Sequence, residues 1–230
     1  MDLTCRSLVN CAGLNAVKLA GRIRGTCAGS VPEAFFAKGN YFRYAGECVQ
    51  RGRLVYPLPE PRQAGLGVHA TIDLAGQVRF GPDVEWVSGE AEEAEAGSGN
   101  DGATWGFNHF NFDVDPRRGS QFCEAIRRYW PGVGEAKLVP DYSGIRTKLQ
   151  GPEPRPPHQY QDQSQSQSRD VGSEIRRART KGGAADFMIQ GSDAHGVPGL
   201  VNLLGIESPG LTSALAIADH VATLLEKDSR

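Results

Sequence analysis

Apolar and polar positions alternate most cleanly between Leu66 and Phe80. Val68, Ala70 and Ile72 point one way, His69 and Thr71 the other, Gly76 marks a turn, and Gln77-Val78-Arg79-Phe80 returns. A period of two around a glycine turn predicts an antiparallel hairpin, in a sheet with one side left for solvent or a ligand. Asn40-Tyr41-Phe42-Arg43-Tyr44 and Arg53-Leu54-Val55-Tyr56-Pro57-Leu58 read as two more strands, the second ended by Pro57 and Pro59. Leu8 to Leu14 reads as a short buried strand closing in a tight glycine turn. Asn15 is placed to cap a helix that opens with Val17, Leu19 and Ala20. A lone buried strand needs neighbours on both sides, so this start has the character of the middle of a fold.

The period then lengthens. Gly119 to Trp130 predicts a helix with Phe122, Cys123, Ile126 and Tyr129 on one side, stopped by Pro131-Gly132. A last helix is predicted from about Leu211 to Lys227. Leu211, Leu215, Ala218 and Leu225 form its stripe, widened by Ala214 and Val221, and the expectation is that the stripe packs on a sheet. Ahead of it Leu200, Val201, Leu203 and Leu204 lead into Gly205-Ile206-Glu207-Ser208-Pro209-Gly210-Leu211-Thr212-Ser213. That is a strand, a glycine-bracketed turn and a helix start. The N-terminal end of a helix carries unpaired N–H groups and about half a positive charge, so it favours an electron-rich ligand.

Two segments lack any period. Ser88 to Gly102 is rich in glycine and acid, and Gln150 to Gly183 passes from prolines through a Gln/Ser tract to Arg176-Arg177-Ala178-Arg179. Both are expected to be flexible, solvated insertions, over 88–110 and 150–183. Composition narrows the function further. A net charge of -2 gives no general attraction to nucleic acid or anionic surfaces. Five cysteines without C-x-x-C spacing argue for reduced thiols, and five scattered histidines argue against a metal site. No apolar run approaches the ~20 residues of a membrane span, and the first residues do not form a signal or transit peptide.

Five segments occur in the order found in one family: Asn10-Cys11-Ala12-Gly13-Leu14, Lys38-Gly39-Asn40-Tyr41-Phe42, Gly67-Val68-His69-Ala70-Thr71, Tyr142-Ser143-Gly144-Ile145-Arg146 and Gly205 to Ser213. Together they resemble FAD-dependent oxidoreductases of the D-amino-acid-oxidase type, and the wording is closest to the L-2-hydroxyglutarate dehydrogenase branch. The resemblance implies an α+β or α/β fold: part of a Rossmann-like FAD-binding domain with an inserted antiparallel substrate sheet. Residues 1–30 and 190–230 would be the C-terminal parts of the split FAD domain, and 31–149 with 184–189 the substrate domain. The family's N-terminal glycine fingerprint G-x-G-x-x-G has no counterpart upstream of Leu8. Activity of the chain by itself is therefore not expected.

The same resemblance assigns roles. Gly13, Leu14, Gly205, Ile206, Gly210, Leu211 and Thr212 would contact FAD, the last five beneath the isoalloxazine ring. Arg146 in Gly144-Ile145-Arg146 would bind the substrate carboxylate, since a guanidinium pairs with a carboxylate bidentately. Relatives usually carry proline after this arginine, and here Thr147 stands in its place. Oxidation of C–OH needs a base, and histidine, titrating at about 6.5, suits neutral pH. His69 is the first candidate and His195 the second; Tyr41 and Tyr142 would line the pocket. Each residue also has a plainer reading. Arg146 could be a surface group, His69 a cross-strand polar pair, His195 a loop residue bonded to backbone, and the tyrosines strand packing.

The implied function is FAD-dependent oxidation of L-2-hydroxyglutarate, or a related 2-hydroxy acid, to the 2-oxo acid. Two alternatives stand beside it: a flavin-free remnant of the family without activity, and an amine or amino-acid oxidase of the same fold. The implied partners are a small 2-hydroxy acid and an unidentified electron acceptor. The implied compartment is mitochondrial, as in eukaryotic relatives, or cytoplasmic otherwise.

Overall fold

The computed structural model describes residues 3–46, 53–58, 67–88, 110–152 and 186–229. Nearly all of both predicted insertions, the arginine cluster at 176–179 and Cys48 lie outside these residues. The described cysteines, Cys5, Cys11, Cys27 and Cys123, are free thiols. Among the described residues, no helix is long and apolar enough to cross a membrane.

The two ends of the chain meet in a three-stranded sheet. Strand β1 (Leu8–Asn10) lies parallel to β8 (Leu200–Leu204), in register from Leu8↔Leu200 to Asn10↔Asn202, and β7 (Met188–Gln190) runs antiparallel on the other side of β8. Met188 and Ile189 thus belong to this sheet and not to the antiparallel unit in which they were expected. A 3₁₀ turn at Gly13–Asn15 follows β1 and leads into the short helix α1 (Ala16–Ala20). Asn15 makes no side-chain capping hydrogen bond; Asn10 orders the turn instead. Its amide donates to the Ala16 carbonyl and to Asn202 Oδ1, both at 2.9 Å, and its oxygen accepts from Ala12 N. Asn10 and Asn202 are both buried, so the pair satisfies the Asn10 amide and Asn202 Oδ1, while Asn202 Nδ2 has no partner among the described residues.

The second sheet holds β2 (Phe35–Tyr44), β3 (His69–Ile72), β4 (Val78–Gly81), β5 (Glu85–Val87) and β6 (Leu138–Lys148). Its order is β3-β4-β2-β5, with β6 pairing along nearly the whole of β2. The predicted hairpin is present as β3 and β4. The predicted strand at Arg53–Leu58 is reduced to one bridge, Val55 to Ala70, because Leu54, Tyr56 and Leu58 are exposed and have no face to bury. Ala70, Phe80 and Phe42 stand in register across three strands and share one face. Helix α2 (Gly119–Arg127) covers that face with Phe122, Cys123 and Ile126. Phe42, Phe80, Phe122 and Ile126 are wholly buried, each contributing about 1.5–3 kcal/mol of apolar transfer. With α2 on one side, the opposite face of the sheet is left to carry the site.

A short turn of helix, α3 (Ser192–His195), precedes β8, and α4 (Ala214–Asp228) follows it. The stripe predicted for α4 does not pack as expected. Leu211 and Leu215 are 94% and 84% exposed, and Val221 is the one buried residue of the helix. The reason is where α4 is fastened. Leu224 lies against Gly191, and the Asp228 carboxylate accepts from Ser192 Oγ and from Gly199 N. The helix is therefore anchored by its C-terminal half, and its first turns stand clear of the sheet.

Candidate functional site

Register decides which side chains meet. A bulge between Asn40 and Phe42 lets two residues of β6 oppose Tyr41, and the Tyr41 and Tyr142 rings stack at 4.5 Å. From there the period of two puts Tyr142, Gly144, Arg146 and Lys148 on one face of β6. Gly144 lies opposite Gly39, and a Cβ built on Gly144 would meet nothing within 4 Å. The floor between Tyr142 and Arg146 is therefore bare backbone on β6, whereas a Cβ on Gly39 would strike Pro82 at 2.7 Å, so that side is already filled. The Arg146 guanidinium lies beside the Tyr41 hydroxyl and favours its ionised form. Burial, and then Tyr142, push the Tyr41 hydroxyl above its ordinary pKa, so it stays protonated.

His69 joins the same face. It sits opposite Gly81 on β4, and a Cβ on Gly81 would strike the Tyr41 ring at 2.5 Å. The imidazole is 6% exposed and lies against the ring of Tyr56, with centroids 4.2 Å apart. Burial, and then the positive charge of Arg146, hold its pKa below the ordinary value, so it is neutral and able to accept a proton at pH 7.

The glycine turns converge from the other sheet. Gly13 (φ +57) closes β1 and Gly205 (φ +67) closes β8, both at the carboxyl ends of adjacent parallel strands. In open sheets with parallel strands that edge is where ligands bind. Ile206 to Thr212 line an open hollow of about 370 Å³. Leu14 is half-buried beside Gly13, whereas Leu211 and Thr212 are exposed. Two ion pairs tie this turn to the second sheet. Glu207 accepts from Lys148 Nζ at 2.6 Å and lies 3.9 Å from Arg146 Nη1.

His195 is placed elsewhere. It ends α3, ahead of the first residue of β8, and the five residues of β8 then lead away from it to Gly205, a rise of roughly 16 Å. Fully buried, it accepts from Val197 N at its Nδ1, and its carbonyl accepts from Cys27 N. This geometry makes it a loop-ordering residue and separates it from Arg146. Conversely, Tyr56, Lys148 and Glu207 belong to the cluster and were not found from sequence. The period-two step from Arg146 to Lys148 was the available signal for one of them. Among the described residues, no group of three His, Cys, Asp or Glu side chains is arranged to hold a metal ion.

Comparison with known proteins is consistent with this arrangement. Residues 2–224 match the profile of the DAO family, described as FAD dependent oxidoreductase. The L-2-hydroxyglutarate dehydrogenase, mitochondrial, of Arabidopsis thaliana is 42% identical over 223 residues, 96% of this chain and 38% of the plant protein. The L-2-hydroxyglutarate dehydrogenase of Escherichia coli K12 is 38% identical over 164 residues, 64% of this chain and 38% of the bacterial protein. This chain thus spans about two fifths of the length of these relatives. Among solved structures, the dithionite-reduced L-alpha-glycerophosphate oxidase of Mycoplasma pneumoniae with FAD bound superposes with a TM-score of 0.57 at 18% identity, covering 96% of this chain and 42% of that one. Glycine oxidase from Bacillus cereus gives a TM-score of 0.50 at 13% identity, covering 98% and 44%. These two likenesses concern the fold. With an antiparallel sheet facing two glycine turns at the ends of parallel strands, and a family match running almost from end to end, this chain belongs to the DAO family of FAD-dependent oxidoreductases.

Proposed function

We propose that this chain forms the substrate sheet and the isoalloxazine-facing turn of an FAD-dependent dehydrogenase that oxidises L-2-hydroxyglutarate, or a related 2-hydroxy acid, to the 2-oxo acid. The observation that carries the reading is the joint placement of Arg146, beside Tyr41, and a buried neutral His69 on one face. A 2-hydroxy acid presents a carboxylate and an adjacent C–OH, which call for a guanidinium and a base on the same side. Arg146 pairs with the carboxylate and fixes the carbon that reacts. His69 takes the hydroxyl proton at an imidazole nitrogen kept neutral by burial. Tyr41 and Tyr142 wall the pocket, and the bare backbone at Gly144 leaves room for the acid's carbon chain.

The residues also fit the cofactor. A Cβ on Gly13 would stand in open space, while one on Gly210 would strike Ile206 and Glu207, so the turn is shaped to bring its backbone close to a ligand. Gly13, Leu14, Gly205, Ile206, Gly210, Leu211 and Thr212 would hold the ring end of FAD, and the start of α4 would lend it partial positive charge. Bound FAD supplies the acceptor for the hydride. The mitochondrial location in the Arabidopsis relative's name is extended to this protein on its 42% identity.

A second reading is that residues 1–230 by themselves hold no flavin. It is favoured by the apolar side chains that stand in solvent on β1 and at the start of α4, namely Leu8, Val9, Leu211 and Leu215. One experiment separates the two. The 230-residue chain is purified, its visible spectrum is recorded, and L-2-hydroxyglutarate is added without oxygen. Yellow absorbance bleached by the L-acid supports the leading reading, and colourless protein the second. Bound flavin that neither L-2-hydroxyglutarate nor other 2-hydroxy acids bleach would overturn the substrate class and turn attention to amino acids.

A further inference from the structure

Arg146, Lys148 and Glu207 form a cluster with two positive charges and one negative one. The side chains of Lys148 and Glu207 are 13% and 11% exposed, while that of Arg146 is 31% exposed. The contacts are unequal in the same sense. Lys148 holds the carboxylate in a short charge-assisted hydrogen bond of 2.6 Å, whereas Arg146 stands 3.9 Å from it, beyond hydrogen-bond range. The cation nearer to solvent therefore holds the longer and weaker of the two ion pairs, with no hydrogen bond to Glu207, and lies beside the neutral hydroxyl of Tyr41.

We propose that Glu207 sets the charge accepted at Arg146, and that Lys148 holds Glu207 in the position that leaves the guanidinium open to one ligand carboxylate. This rests on Arg146 being the carboxylate-binding residue. A ligand carboxylate on Arg146 would lie close to Glu207 and be repelled by it. The ammonium of Lys148 cancels that repulsion, and the net single positive charge of the cluster matches a single incoming carboxylate. Without Lys148, Glu207 has a stronger partner within reach in Arg146, and a short rotation would close the pair and occupy the site. Lys148 and Glu207 are thus positioning residues, acting on the ligand through Arg146.

The two residues have opposite effects on this account, which a purely structural clamp does not produce. The test is isothermal titration of 2-oxoglutarate into the 230-residue chain with saturating FAD, for wild type, Lys148→Met, Glu207→Gln, the double variant and Arg146→Met. Expected are binding about tenfold weaker in Lys148→Met and about tenfold tighter in Glu207→Gln, with the double variant behaving as Glu207→Gln. Weakening by both single variants would overturn the proposal and leave a structural pair. If Lys148→Met does not fold by circular dichroism, the sign of Glu207→Gln alone decides. Arg146→Met separates the layers. If it binds as wild type does, or if wild type does not bind, the assignment of Arg146 fails and this proposal falls with it.

Discussion

Thr147 offers a test of β6 that needs neither substrate nor cofactor. It lies between the two cations of the site, its side chain 4% exposed on the opposite face, and its hydroxyl has no hydrogen-bond partner among the described residues. A buried unpaired hydroxyl costs about 1–3 kcal/mol. Valine has the same branched shape and an equal preference for strands, so it removes that cost and keeps the packing against Phe36 across the register. Thr147→Val should therefore stabilise the chain by about 1–2 kcal/mol, a rise of roughly 2–8 °C in Tm for a chain of this size. Thermal unfolding followed by circular dichroism measures it. Thr71→Val is the matched control, because the Thr71 hydroxyl donates to the Arg79 carbonyl and its loss should give no gain. A fall in Tm for Thr147→Val would mean that the hydroxyl is bonded and that β6 is rotated. Arg146 and Lys148 would then not share the face that the site requires.

Three further outcomes are expected. Arg146→Lys in a complete, flavin-loaded enzyme should lower kcat/KM at least about tenfold, since a point charge replaces a bidentate fork; steady-state kinetics with L-2-hydroxyglutarate would show it. His69 carries a depressed pKa, so the folded state resists its protonation while the unfolded state does not. Stability is then complete above the ordinary value of 6.5 and falls as pH drops below it, and His69→Gln should flatten that limb in urea titrations between pH 7.5 and 5. The carboxylates with depressed pKa, Asp73, Asp115 and Asp228, act in a lower window, below 3.8. Leu215→Lys should leave the unfolding free energy from urea titration within about 0.5 kcal/mol of wild type, whereas Val221→Lys should unfold the first sheet.

Sequence made the local elements legible where one face is apolar and the other polar. The β3–β4 hairpin and α2 are such cases, because Ala70, Phe80, Phe122 and Ile126 all point into one core. Strand β6 escaped the same reading. The bulge at 141 and 142 puts Leu138 and Pro140 on the same face as Ser143, Ile145 and Thr147, and leaves Tyr142, Gly144, Arg146 and Lys148 as a mixed row on the other. The period of two is broken inside the strand, and polarity does not report either half. Arg146, Tyr41, Tyr142 and His69 were found through a family resemblance, and only cross-strand register and the bulge bring them together. The pairing of Glu207 with Lys148 was invisible because it spans 59 positions, from β6 to the turn after β8. The stripe of α4 misled for the converse reason: periodicity tells which residues align, not which part of the helix is fastened.

The parallel pairing of β1 with β8 joins positions 192 apart, with Asn10 and Asn202 bonded at its end. During synthesis this pairing cannot form until β8 follows β1 out of the ribosome. Closing so wide a loop costs roughly 2–3 kcal/mol more than closing one of ten residues, before any contact repays it. The β2–β6 unit, whose neighbours are nearer in the chain, is free to condense first and draw those ends together. Damage to its core, at Phe42 or Phe122 for instance, would then surface as failure of a sheet those residues never touch.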